Sequence, residues 1–239
     1  MIKTKLDPKE EREYDELRRM GQRLHIPIPE AFWKLEVFDK NGKLLQTHDQ
    51  RSHSWTRNAY NQLFCAMASK NASDATWVAG KLSGKDTAGV VHFGAAGIMA
   101  HYNIDIDTPD ATKGILTPAN QKTKGIQVGS GINAESFDDF VLQTLINSGA
   151  GAGEINYAAS ELHDITYVGT VLSDAQVRYF NNNSGGDIAV NEVSIVNGLY
   201  YGANLNFYLT ARDHLGATIT VPDTGQLKVT YTIQLTYPV

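Results

Sequence analysis

The sequence predicts a mainly β protein. The expected architecture is an antiparallel β-sandwich, jelly-roll-like, over residues 26–239, with a charged helical arm over 1–25 and two short helical insertions. Three observations predict it. Leu227, Val229, Tyr231, Ile233, Leu235 and Tyr237 alternate with Lys228, Thr230, Thr232, Gln234 and Thr236, the period of a strand with one covered face. From Ile155 onward, short apolar runs are separated by turn-rich phrases at 181–186, 213–216 and 222–225. About half of the first 24 residues are charged, against 20% for the whole chain.

Composition narrows the function classes. A chain of 239 residues with 42% apolar content can bury a core, which excludes wholesale disorder. A net charge of −5 and a pI near 5.8 argue against a general nucleic-acid binder. Cys65 is the sole cysteine, so no intrachain disulfide forms, as suits a protein that matures in a reducing cytosol or one that needs no covalent staples. The opening MIKTKLDPKEERE has no apolar h-region, and the chain has no apolar run long enough to span a bilayer, so neither secretion nor a membrane partner is expected.

Taken in order, the arm opens with a helix start: Asp7 as N-cap, Pro8 at the first helical position and Glu10 three residues after the cap. Acids fall early and arginines late, which suits the helix dipole. Tyr14, Leu17, Met20 and Leu24 form a narrow apolar seam, the predicted interface. Such a helix either lies on its own domain or docks on a neighbouring subunit. The segment His25-Ile26-Pro27-Ile28-Pro29 is read as an extended connector that lets the arm point away.

Asn41-Gly42 between Phe32–Phe38 and Lys43–Thr47 predicts a hairpin. A helix follows over 54–68, with Trp55, Ala59, Leu63, Phe64 and Met67 on one face and Cys65 packed inside. Glycines weaken the pattern over 80–117, where Val90–Phe93 and Ile98–Ile104 are candidate strands. The second helix is expected over Ser136–Asn147, ended by the glycine loop 148–153. Candidate strands then run over Ile155–Ala158, Ile165–Val171, Gln176–Phe180, Ile188–Val196, Leu205–Ala211, Thr218–Val221 and Leu227–Tyr237.

Few motifs point to chemistry. Gly129-Ser130-Gly131-Ile132-Asn133-Ala134 fits a dinucleotide fingerprint, but no βαβ alternation surrounds it, so a tight turn is expected. Gly80–Asp86 has the wrong spacing for a phosphate loop and reads as a surface loop. Asp105, Asp107 and Asp110 are weak candidates for a calcium site, with no completing glycine or glutamate. The seven histidines offer no zinc spacing, and no serine sits in a nucleophile elbow. No catalytic residue and no cofactor is expected. Tyr200 and Tyr201 are candidates for stacking on sugars. Arg178, Glu192, Arg212 and Asp213 are placed at strand ends, where some form ion pairs that fix loops.

Several phrases in order carry a resemblance: Ser54-Trp55-Thr56-Arg57-Asn58, Gly125–Gly131, Asp138–Ile146, Arg178–Gly185, Val190–Val193, Ala211-Arg212-Asp213 and Leu227–Ile233. Over residues 45–239 the chain resembles uncharacterised structural proteins of tailed bacteriophage virions, with the charged arm unmatched. The resemblance implies a β-rich virion component of the head-decoration, minor-capsid or neck/tail type, assembled in the host cytoplasm, and brings no catalytic residue with it. Expected partners are other virion proteins and further copies of the chain. The alternatives are a host-adsorption or carbohydrate-binding module and a glycan hydrolase, the latter requiring two facing carboxylates that the sequence does not nominate.

Overall fold

The computed structural model describes residues 2–68, 70, 72–93, 109–111, 114–201 and 204–238. The chain is mainly β, with strands over 44% of it and two α-helices among the described residues. The order is β1 (Ile2–Thr4), α1 (Pro8–Leu24), β2 (Ile28–Phe38), β3 (Leu44–Arg51) and α2 (Arg57–Ala68), then two short strands, β4 (Gly84–Lys85) and β5 (Val91–His92). There follow β6 (Gly125–Gly129), β7 (Asn156–Ser160), β8 (Asp164–Val168), β9 (Val171–Asn181), β10 (Ile188–Tyr201), β11 (Asn204–Val221) and β12 (Gln226–Thr236).

A seven-stranded sheet runs β1-β3-β2-β12-β9-β7, with β8 also on β9. It is mixed, because β1 runs parallel to β3 while its other pairs are antiparallel. A three-stranded antiparallel sheet runs β11-β10-β6, and β4 pairs with β5. The alternating C-terminal strand lies in the middle of the large sheet, between β2 and β9 over its whole length. Its inner residues Leu227, Val229 and Tyr231 join Trp33, Leu35 and Val37 of β2 and Phe180 of β9. Val190, Val193 and Ile195 of β10 and Ile219 and Val221 of β11 belong to the same core cluster, so both sheets share one core. Each such large side chain contributes roughly 1.5–3 kcal/mol by leaving water. The expected hairpin forms at Asn41-Gly42: Gly42 has φ +77°, and the Asp39 amide donates to the Lys43 carbonyl.

Four expectations are corrected. Only one helical insertion, α2, is present among the described residues; 136–147 is a loop. There Leu145 bridges Gly129 of β6, and the Ile146 amide donates to Val128. The amides of Gln143 and Thr144 donate to the Glu192 carboxylate at 3.1 and 2.7 Å, which takes the hydrogen bonds a helix would need. Asp213–Gly216 is no turn: β11 runs through it, and the register shift between Val190 and Glu192 absorbs residues 215–218 as a bulge. The predicted strand 165–171 is split at Gly169-Thr170, where β8 turns back into β9. The Gly80–Asp86 loop is partly internal, since Ser83, Gly84 and Asp86 are buried. The candidate strand Ile98–Ile104 lies outside the described residues.

Candidate functional site

The arm is held by charge. Asp7 caps α1, accepting from the Lys9 amide at 2.9 Å. Arg18 on the next turns donates to both oxygens of Glu30 at 2.8 and 2.7 Å. Glu30 belongs to β2 and is only 3% exposed. Arg51, at the end of β3, donates to Glu30 at 2.6 Å and to Glu11 of α1 at 2.7 Å. Its guanidinium lies 3.7 Å from the Tyr14 ring centre and 4.6 Å from that of Phe32. Burial pulls the Arg51 pKa down, but its hydrogen bonds to Glu11 and Glu30 outweigh this and hold it above the ordinary value. His53 adds a contact to Glu10. The one buried residue of α1 is Gly21, where a Cβ would stand 2.6 Å from Ile28. The arm thus lies on its own body, tied further by β1 on β3.

The four seam residues part company. Tyr14 is half-buried beneath Arg51. Leu17, Met20 and Leu24 stay 43%, 49% and 54% exposed. The polar face of α1 does the docking, and its apolar seam is left over. At the end of α1 the chain turns at His25, in the left-handed region at φ +55°, and enters β2 through an exposed Ile26.

A second exposed apolar group lies at the same end of the large sheet. Thr236 of β12 pairs with Ile28 on one side and Val171 on the other, and the Tyr237 amide donates to Thr170. That register brings the β8–β9 hairpin to the same end of the sheet as Leu24 and Ile26. Three strand spacings, about 14 Å, separate them. The hairpin stands clear of the core: Ile165, Tyr167 and Val168 are 60%, 61% and 75% exposed. A third exposed apolar face belongs to α2. Its buried residues are Arg57, Asn58 and Cys65, and Asn58 binds the Lys85 and Leu209 backbone. Tyr60, Leu63, Phe64 and Met67 therefore face outward, beside a groove of about 260 Å³ lined by Trp55, Ile115 and Tyr231 among others. The expected helix face exists, but most of it is not used for packing.

Arg178, Glu192, Arg212 and Asp213 are buried and lie within strands β9, β10 and β11, not at their ends. Glu192 of β10 accepts from Arg212 at 2.8 Å and from the amides of Gly131, Gln143 and Thr144. The Gly-Ser-Gly phrase thus does bring one amide, that of Gly131, to an anion, and the anion is the chain's own glutamate: a Cβ at Gly129 or Gly131 would stand 2.5 Å from its carboxylate. Arg212 also binds Asp139 at 2.8 Å. Asp213 accepts from Trp33, Ser52 and the His53 amide, and burial pushes its pKa up. Cys65 is buried and free, its thiol pushed up by burial.

Of the metal candidates, Asp105 and Asp107 lie outside the described residues, as do the side chains of Tyr200 and Tyr201. Asp110 is half-buried, with its amide donating to Leu116. Among the described residues, no three His, Cys, Asp or Glu side chains gather as a metal site. No helix among them is long and apolar enough to cross a membrane. Comparison with protein-family models, curated proteins and solved structures finds no match for the chain. Sequence reasoning missed Glu30, Arg51 and the β8 residues. Nothing local marks Glu30 as the anchor, whereas Ile165, Tyr167 and Val168 were visible as apolar but not as uncovered.

Proposed function

We propose that this chain is a non-enzymatic structural component of a tailed bacteriophage virion, of the head-decoration, minor-capsid or neck/tail kind, built as a jelly-roll-like β-sandwich. It works in the assembled particle, after assembly in the host cytoplasm, as a homo-oligomer bound to other virion proteins. The sequence resemblance supports this reading, and one structural observation carries it. Leu17, Met20 and Leu24 of the arm, with Ile26 beside them, lie toward the same end of the large sheet as Tyr167, Val168 and Tyr237, all exposed. Grouped apolar surface of this kind marks contact sites on proteins. A stable contact there buries more than about 1,000 Å² in total.

The test is the solution mass of the full chain beside the triple variant Leu17→Glu, Met20→Glu, Leu24→Glu. The wild type is expected to be oligomeric and the variant to dissociate while keeping its β-type circular dichroism. A wild type that stays monomeric at high concentration, and that mass spectrometry fails to find in purified phage particles, overturns the proposal.

A further inference from the structure

The opposite end of the large sheet carries a cleft of about 620 Å³. Its floor is the outer face of three neighbouring strands. Phe38 of β2 and Asn181 of β9 flank Gln226 of β12, and Tyr179 pairs with Lys228 one row along. One wall is the β2–β3 turn, with Asp39, Lys40 and Gly42; the other is formed by Asn183, Thr224 and Gly225.

This second wall is built rigidly. Buried Asn182 donates to Gly186 and Val221 at 2.8 and 2.9 Å, and its amide donates to Gly225. The Asp223 carboxylate accepts from the Gly185 amide. Thr224 sits at the third position of the turn closed by Gly225 and Pro222, with φ +59°. Glycine is the ordinary residue there, and a β-branched side chain is strained. Such strain is retained where a side chain has a use, and Thr224 lines the cleft.

The chemistry of the lining is specific. Tyr179 offers an aromatic ring, with the Lys228 ammonium 5.8 Å from its centre, and Asn183 offers an amide that donates and accepts; Gln226 Nε2 donates to Asn181 Oδ1 at 2.7 Å, which leaves Asn181 Nδ2 to donate and Gln226 Oε1 to accept. Lys40 and Lys228 add two ammonium groups; Lys228 makes a long ion pair with Glu36 at 4.0 Å, a carboxylate that Lys34 holds more closely at 3.0 Å. The Asp39 carboxylate is engaged by its own turn, accepting from the Asn41 and Lys43 amides at 2.8 and 2.9 Å. We propose that this cleft binds an acidic oligosaccharide. Tyr179 stacks on a sugar ring, Asn183 and the remaining polar atoms of the Asn181–Gln226 pair read its hydroxyls, and Lys40 and Lys228 face its carboxylate.

Hyaluronan and alginate tetrasaccharides, with neutral chitotetraose and an acidic peptide beside them, test this by amide chemical shifts of the full chain. The acidic sugars are expected to shift residues 39–42, 179–183 and 224–228, and to bind about tenfold or more tighter than chitotetraose. Lys228→Gln removes that preference and Tyr179→Ala weakens every sugar. Thr224→Gly weakens binding while the melting midpoint holds or rises, which separates use of the side chain from damage to the fold. Either of two results overturns the proposal: no shift in the cleft at about 10 mM of either acidic sugar, or equal binding by chitotetraose or the peptide. The solution mass is unaffected in both cases, so the subunit-contact reading stands or falls separately.

Discussion

Among the described residues, Arg178 has its charge satisfied by carbonyls and not by a carboxylate. Fully buried in β9, it donates to the carbonyls of Ala158, Lys124, Ile126, Pro118 and Gln121, at 2.6–3.4 Å. Its fork therefore ties the 118–126 segment to the large sheet, and burial lowers its pKa to about 10. Lysine offers three donors in a different geometry. Arg178→Lys is expected to lower unfolding free energy by about 3 kcal/mol, because buried carbonyls are left unpaired; urea unfolding measures it. Lys124 beside it is fully buried and donates to Leu116 at 2.6 Å. Burial brings its pKa down to about 8, with Asp110 opposing and Arg178 adding to the shift. An unfolded lysine titrates near about 10.4. Between those values the unfolded chain holds more protons than the folded one, so this group makes stability rise with pH from about 8 to about 10. The test is the difference between the two chains: across that window the denaturant midpoint of the wild type is expected to have a more positive pH slope than that of Lys124→Gln, because Cys65, Tyr157, Tyr208 and Tyr231, whose pKa values burial raises, act in the opposite sense in both; equal slopes refute it.

The arm as an element depends on Glu30. Two guanidiniums, Arg18 and Arg51, converge on its carboxylate, which is shielded from water. Removing one member of a buried charged group costs about 3–5 kcal/mol, because the others remain uncompensated. Glu30→Gln is expected to free α1 from the sheet before the body unfolds. Proteolysis within residues 1–27 then accelerates strongly, while the core amides keep their protection from hydrogen exchange; unchanged cleavage counts against an ionic latch. The α1 start was legible because Asp7 and Pro8 act within one turn, and β12 and the Asn41-Gly42 hairpin were legible because period two and turn chemistry are local. The loop 136–147 was not legible, since its helix-like spacing is overridden by Glu192, 48 residues away from Thr144. The apolar face of α2 was legible, but not that most of it stays exposed: Asn58 is drawn inward by the backbone of Lys85 and Leu209, which no spacing rule reveals. Leu17, Met20 and Leu24 were legible as a seam, but that Tyr14 belongs to the body follows only from Arg51.

At the scale of the molecule, the two ends of the chain have opposite standing. β12, the last strand, is the central partner of both β2 and β9, so the large sheet closes only after residues 208 apart in sequence have met, as Thr236 and Ile28 do. Leu227, Val229 and Tyr231 also put β12 in the core shared by both sheets, where Tyr231 packs 4.3 Å from Trp33 between ring centres. No arm residue enters that cluster. Removing the same kind of short terminal segment should therefore have unequal consequences. A chain lacking residues 226–239 loses the middle of a sheet and is expected to show no cooperative unfolding transition by circular dichroism. A chain lacking residues 1–24 keeps the Arg51–Glu30 pair at 2.6 Å and the whole core, and is expected to unfold cooperatively at a lowered midpoint. A missing transition in the second chain makes the arm part of the folding unit, not an element laid upon it. In that case the exposed seam is a surface of the body, and contacts between copies form without any movement of the arm.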